Sequence, residues 1–305
     1  MHKINKGFLF VFVCLLFVMC NQKEQKSANK ESILKGSATV MVDETLLPIM
    51  EDQVAVFEST YPAKINLVSK SESELILSLF TLKSGIAVLS RNLTEEENKI
   101  FAQKKITPKI TKFATDAIAF ISNKSNNDTL VDLKNVIDFM QGKASPKIKG
   151  LVFDNPNSST VRYMNTLAGI ESIPQKGVYS FKTNEEVIKF VAQNKGMIGI
   201  LGLNWLTQPM PEMQEFVDEV NVLSLKGVTG QNYYEPSQNN IAEGKYPLAR
   251  DLYIINCQGY SGLGMGFASF VAGDIGQRIV LKSGLLPAKV PGRKINIRNE
   301  ISNEK

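Results

Sequence analysis

Strand-like and helix-like segments alternate along most of this chain, and no other property of the sequence restricts its fold as much. Lys35 to Val42 (KGSATVMV) reads as a strand. Leu46 to Glu58 follows with Leu46, Met50, Val54 and Phe57 at helical spacing, and the unit stops at Tyr61-Pro62 before a new strand at Lys64 to Val68. The pattern repeats with a helix expected over Ser71 to Leu82, a short buried strand over Ile86 to Leu89, and a capping-box helix start at Thr94-Glu95-Glu96-Glu97. Such alternation argues for an α/β sheet with helices on both faces. A chain of 305 residues is longer than one core usually supports, so two globular units, or one discontinuous pair, are expected.

Further along, the periodicity changes. Ile110 to Asn123 (ITKFATDAIAFISN) is a long β-rich run interrupted by Asp116, a charge that requires partners or a ligand in so apolar a stretch. Helices are expected at Asp132 to Gly142, Asn184 to Gln193, Gly266 to Ala272 and Ile275 to Ser283. Strands are expected at Gly196 to Gly202, Val220 to Leu225 and Leu252 to Cys257, with a polar loop over Gly227 to Glu243. Met210 to Val217 fits neither period, and no internal repeat or second hydrophobic span is present.

Leu151 to Met164 (LVFDNPNSSTVRYM) joins an apolar run, a turn of Asp154, Asn155, Pro156 and Asn157, and a hydroxyl-rich helix start at Ser158-Ser159-Thr160. Free N–H groups at a helix N-terminus carry the positive end of the dipole and, with hydroxyls beside them, form an anion socket. Arg162 in the first turn opposes that dipole unless something negative offsets it, which a bound oxyanion would do. The plainer reading is a Ser/Thr N-cap with Arg162 in solvent.

At the N-terminus, Lys3 and Lys6 precede an uncharged apolar run from Gly7 to Met19 that ends on Cys20. The run is too short to span a bilayer comfortably and reads as an export signal, followed by a polar tether from Asn21 to Ser32. This arrangement resembles a bacterial lipoprotein signal with Cys20 as the lipidated residue. Phe17-Val18-Met19 departs from the usual Leu-x-small pattern, so ordinary cleavage or an uncleaved anchor is the other reading. Removal of Lys3 and Lys6 lowers the formal charge from +5 to +3, too mild for nucleic-acid binding. Cys257 alone remains beyond Cys14 and Cys20, which excludes a disulfide framework. The single histidine is His2, so the mature chain has no imidazole for general acid/base work, Ser-His-Asp or Cys-His systems, or metal ligation.

Five stretches then acquire meaning from their order: Val40 to Pro48 (VMVDETLLP), Ile86 to Leu93 (IAVLSRNL), Ala114 to Asn123 (ATDAIAFISN), Asn157 to Arg162 (NSSTVR), and Tyr246 to Pro287 with YPLARDLYIIN, FASFVAGDIGQRIV and KSGLLP. Together they resemble the phosphate-type solute-binding proteins of ABC importers, the PstS-like branch of the type II periplasmic binding protein fold. The resemblance implies a two-lobe α/β protein, each lobe a mixed sheet flanked by helices, joined by crossing strands with the ligand between them. It implies a signal over residues 1–20, a tether over 21–32, the first lobe over 33–112, the second over 113–245, a return to the first over 246–292, and a tail over 293–305. The family's anion loops fall on Thr45 and the Leu46 backbone, on Ser90, and on Ser158, Ser159 and Thr160, with Asp116 as its acidic residue. An acceptor-only carboxylate takes a proton from protonated phosphate but is left unpaired by sulfate.

The departures concern charge. Where the family commonly has Arg before its Ser-Gly-Thr loop, this chain has Asp154, and the central Gly is Ser159. Asp43-Glu44 stands where Ser or Gly is usual. Arg91 or Arg162 would have to supply the missing guanidinium, with Arg91 on the surface as the plainer alternative. The implied protein is a non-enzymatic, monomeric receptor without cofactor or metal, lipid-anchored at Cys20 on a bacterial membrane, at its periplasmic face or the cell surface. It would capture an oxyanion, most simply phosphate, and pass it to ABC permease subunits. The alternatives are another anion or small solute on the same fold, a sensory or interaction lipoprotein that has lost transport, and an exported carboxylate hydrolase, which the missing histidine and nucleophile motif oppose.

Overall fold

Thirteen strands and eight helices of at least eight residues build the fold of the described residues, which in this computed structural model are 31–81, 85–143, 145 and 147–292. The signal and Cys20, the tether up to residue 30, Leu82 and the tail 293–305 lie outside them. The strands are β1 Gly36–Asp43, β2 Ala63–Lys70, β3 Ile86–Leu89, β4 Lys109–Asn123, β5 Leu130–Asp132, β6 Gly150–Phe153, β7 Val178–Ser180, β8 Met197–Gly202, β9 Val220–Val222, β10 Ser224–Lys226, β11 Tyr233–Tyr234, β12 Ala249–Asn256 and β13 Leu286–Pro287. The longer helices are α1 Leu47–Thr60, α2 Glu72–Thr81, α3 Glu95–Gln103, α4 Leu133–Met140, α5 Ser159–Ala168, α6 Asn184–Gln193, α7 Leu263–Val271 and α8 Asp274–Lys282.

The main sheet runs β2-β1-β3-β12-β4-β8-β6-β7, with β9 and β13 also paired to β4. β1 lies parallel to β2 and β3, and β6 parallel to β7 and β8, as βαβ connections require. Between these halves, β4 and β12 run antiparallel and cross from one lobe to the other. The first half of β4 pairs with β12, and its second half, Ile118 to Ser122, pairs with β8. Side-chain alternation explains why the strands of the first lobe read as unbroken apolar runs. In β1, Val40 and Val42 enter one core cluster while Met41 enters another on the opposite face. In β3, Ile86 and Val88 face the first cluster and Ala87 and Leu89 the second. The third and largest cluster draws only on residues from Ala117 to Leu248, so the chain changes core between Ala114 and Ala117 and back between Leu248 and Leu252.

α1 buries Ile49, Met50, Val54 and Phe57, the face its spacing predicts. Phe57 is ringed by Tyr61, Phe267 and Phe270, at centroid distances of 5.0, 5.3 and 5.2 Å, which docks α1 on α7. The capping box expected at Thr94 forms, with Thr94 Oγ1 accepting from the Glu97 amide and Glu97 Oε2 accepting from the Thr94 amide.

Three expectations are corrected. Val220 to Leu225 is two strands, because fully buried Leu223 donates its amide to Phe120 O at 2.8 Å while Ser224 donates to Thr129 O at 2.9 Å, so the chain changes sheets there. β9 joins β4, and β10 joins the small sheet β11-β10-β5. The polar segment Gly227 to Glu243 contains β11 and a short helix, Gln238–Ala242, capped by Ser237. The strand expected at Leu252 begins three residues earlier and includes Arg250.

α7 and α8 meet at Gly276. A β-carbon there would lie 2.5 Å from Phe270 O, Val271 Cα and Val271 O, all rigid backbone. Gly276→Ala should therefore destabilise the protein by about 1–3 kcal/mol despite alanine's better helix propensity, read from denaturant midpoints.

Candidate ligand-binding cleft

Three segments from distant parts of the sequence meet where β1, β6 and the crossing pair β4/β12 come together. After β1, Asp43 caps the single turn Glu44–Leu46, its Oδ1 accepting from both the Thr45 amide and Thr45 Oγ1 at 3.0 Å. After β6, Ser158 caps α5, accepting from the Val161 amide at 3.2 Å while donating to Asp154 Oδ1 at 2.6 Å. Thr45 Oγ1 and Ser159 Oγ lie 3.0 Å apart across the cleft. The carbonyl of Thr45 accepts from Asn204 Nδ2 and Trp205 Nε1, each at 3.0 Å.

Arg250 occupies the centre. Its Nη1 donates to Ser159 Oγ at 3.1 Å and Thr160 Oγ1 at 3.3 Å, and its Nη2 to Thr45 Oγ1 at 3.3 Å. Nη2 and Nε also donate to Asp116 Oδ2, at 3.0 and 3.2 Å. Arg250 is 4% exposed and Asp116 fully buried. The two face each other in the β12/β4 register, so the pairing follows directly from antiparallel strand geometry.

Of the residues expected at an anion site, Thr45, Asp116, Ser159 and Thr160 thus converge on one guanidinium. Ser158 stands one step behind, through Asp154, and Leu46 is a core residue beneath the turn. Ser90 is buried with no partner for its hydroxyl among the described residues, beside a cavity of about 490 Å3 that Arg91, Arg162 and Arg250 also line. Arg91 does not reach the hydroxyl cluster: its Nε donates to Glu72 Oε1 at 2.7 Å, and Nη1 and Nη2 grip Glu97 Oε2 and Oε1 at 2.8 and 2.7 Å. The charge opposing the α5 dipole is also accounted for without a ligand, since Arg162 Nε lies 2.6 Å from Glu72 Oε1. The guanidinium beside Ser159 and Thr160 is that of Arg250, to which the sequence reading gave no site role. Its one visible signal was a second charge in an apolar strand, matching Asp116.

Buried carboxylates surround the socket. Burial raises the Asp116 and Asp43 pKa values, with Arg250 opposing in both cases. Asp154 is pushed up to about 7 by burial and by Asp43, against hydrogen bonds from Ser158 and Asn184 and the charge of Arg250. Glu44 rises to about 8 through burial and the charges of Asp154 and Asp43. Asp43 Oδ2, Glu44 Oε1, Glu72 Oε2, Asp116 Oδ1, Asn184 Oδ1 and Asn204 Oδ1 are buried without partners among the described residues.

Two lobes closing over a buried, polar, hydroxyl-lined cleft define the class of two-lobe solute-binding folds. The chain belongs to the PBP superfamily, whose domain model matches residues 27–274. It is 24% identical to the phosphate-binding protein PstS of Pseudomonas aeruginosa over 87% of this chain and 88% of that one. It is 25% identical to PstS of Staphylococcus aureus, over 79% of this chain and 73% of that one. Its backbone superposes with a TM-score of 0.69 at 20% identity on a structure from Clostridium perfringens, described as a phosphate ABC transporter substrate-binding protein with bound phosphate, covering 83% of this chain and all of that one.

The raised carboxylates set a pH dependence. In the unfolded chain Asp154 and Glu44 lose their protons near pH 4, whereas the folded protein holds them to about 7 and about 8. Across that window the folded state binds more protons, so stability falls as pH rises. The ligand-free protein should melt higher at pH 5.5 than at pH 8 by scanning calorimetry, and Asp154→Asn should flatten the difference. The reverse slope would contradict these assignments.

Proposed function

We propose that the chain is an extracytoplasmic, non-catalytic receptor that captures an oxyanion, phosphate first, between its lobes and delivers it to the permease subunits of an ABC importer. The observation that carries this reading is the buried Arg250 guanidinium, flanked by hydroxyls of Thr45 from one side of the cleft and of Ser159 and Thr160 from the other. In the closed structure those hydroxyl oxygens accept from Arg250; phosphate oxygens would take over that role while the hydroxyls turn to donate. The start of α5 adds amide donors and the positive end of its dipole. The names of the relatives and the phosphate in the Clostridium structure support the same ligand.

Among the described residues Asp116 Oδ1 has no hydrogen-bond partner beside this charge, although the Ala117 and Leu203 amides lie near enough to favour the ionised carboxyl. A protonated phosphate can donate to it, and sulfate at neutral pH cannot, so the residue would reject sulfate by leaving two acceptors face to face. Anchoring through Cys20, a monomeric state and lobes divided near residues 112 and 246 belong to the same proposal. No helix among the described residues is long and apolar enough to cross a membrane, so attachment would rest on the N-terminal segment.

Calorimetric titration of protein stripped of ligand by unfolding and refolding tests the reading. Phosphate should bind, sulfate should bind at least about tenfold more weakly, and Asp116→Asn should narrow that gap. Absence of heat from both anions in refolded protein would reject it.

A further inference from the structure

The unpartnered atoms of the cleft are nearly all acceptors, and an inorganic oxyanion supplies few donors to satisfy them. They are not spread evenly. Glu44, Asn184, Trp205, Ser69, Glu185 and Lys182 line a separate cavity of about 160 Å3. Among the described residues two oxygens of these side chains, Glu44 Oε1 and Asn184 Oδ1, are buried without a hydrogen-bond partner, though Asn155 stands near enough to favour the ionised Glu44 carboxyl, and Asn184 as a residue is only 1% exposed. Its amide nitrogen donates to Asp154 Oδ2 at 3.2 Å, so Asn184 presents its carbonyl oxygen as the remaining group.

This cavity adjoins the oxyanion socket through short connections. Glu44 precedes Thr45 in the same turn, Trp205 Nε1 holds the Thr45 carbonyl, and Asn184 reaches Ser158 through Asp154. Its lining is acidic: Glu44 and Glu185 border it, and burial with Asp154 and Asp43 holds a proton on Glu44 to about pH 8 in the ligand-free protein, a proton that an incoming ammonium would displace. Lys182 at the rim is exposed, and among the described residues it forms no ion pair with Glu44. Nor do three or more His, Cys, Asp or Glu side chains converge as metal ligands among the described residues. An ammonium group answers all of this at once: it carries three donors and a positive charge, and an indole ring is the best aromatic neighbour for it.

We infer that this cavity is an ammonium subsite, and that the solute best suited to the cleft is a zwitterion with an oxyanion head and a short amine-bearing arm. The oxyanion rests against Arg250 and the hydroxyls; the amine donates to Glu44 Oε1 and Asn184 Oδ1 beside Trp205. This rests on the reading of the Arg250 cluster as an oxyanion site.

The test is calorimetric titration of the protein with 2-aminoethylphosphonate, with its near-isostere propylphosphonate, and with inorganic phosphate. The aminophosphonate should bind at least about tenfold tighter than propylphosphonate. Glu44→Gln should remove that advantage. Lys182→Glu, on the exposed rim, should widen it, which keeps the inference testable if the first variant folds poorly. Equal affinity for the two phosphonates, or an advantage that survives Glu44→Gln, overturns the subsite. Phosphate binding with no aminophosphonate binding overturns the subsite and leaves the oxyanion reading standing. Failure of all three ligands to bind overturns both.

Discussion

The cleft depends on one buried ion pair. Arg250 and Asp116 face each other on the two strands that cross between the lobes, and both are almost completely withdrawn from solvent. Burying such a pair carries a desolvation cost that its own attraction does not reliably offset, so its presence points to a role beyond stability. The pair fixes the orientation of a planar guanidinium, whose remaining donors then face Thr45, Ser159 and Thr160. A register irregularity lies between Leu252 and Tyr253, two residues beyond Arg250. Up to that point β12 keeps even register with β4, and Arg250 meets Asp116 directly.

Around this positive centre the carboxylates are arranged in two ways. Glu72 sits between Arg91 and Arg162, a neutralised wall in which a first-lobe carboxylate reaches a guanidinium of α5 across the cleft. Asp43, Glu44 and Asp154 form no ion pair of that kind among the described residues; burial raises the pKa values of all three, Asp43 raises those of Glu44 and Asp154 further, and Arg250 opposes the rise of Asp43 and Asp154. Glu72 is neutralised by its two guanidiniums, whereas the other three carboxyls hold protons to higher pH than usual. The unusual residues of the turn after β1 and of the loop before α5 thus place buried carboxyls beside the hydroxyl cluster.

Much of the fold was legible in the sequence because its signals are local. The alternation over Lys35 to Leu89, the long β4 run with its lone Asp116 and the Thr94 capping box all depend on residues a few positions apart. Strands of two or three residues, such as β5, β7, β11 and β13, carry too few side chains for any period to show. The hydroxyl half of the site was equally local, since Ser158, Ser159 and Thr160 open one helix. Its cation was not: Arg250 meets Asp116 only through a pairing register between segments 134 residues apart. Arg91 was drawn to the site by its place after Ser90, but Glu72 and Glu97, the latter the reciprocal member of the capping box, take up its guanidinium.

The most direct test of the central claim separates what the ion pair does for folding from what its cation does for binding. Arg250→Met alone should cost about 3–5 kcal/mol, because it leaves a buried carboxylate without its partner, and should abolish phosphate binding. Arg250→Met combined with Asp116→Leu should recover most of that stability while binding stays lost. Phosphate affinity close to that of the parent in the stable double variant would show that Arg250 does not hold the ligand, and would contradict the account.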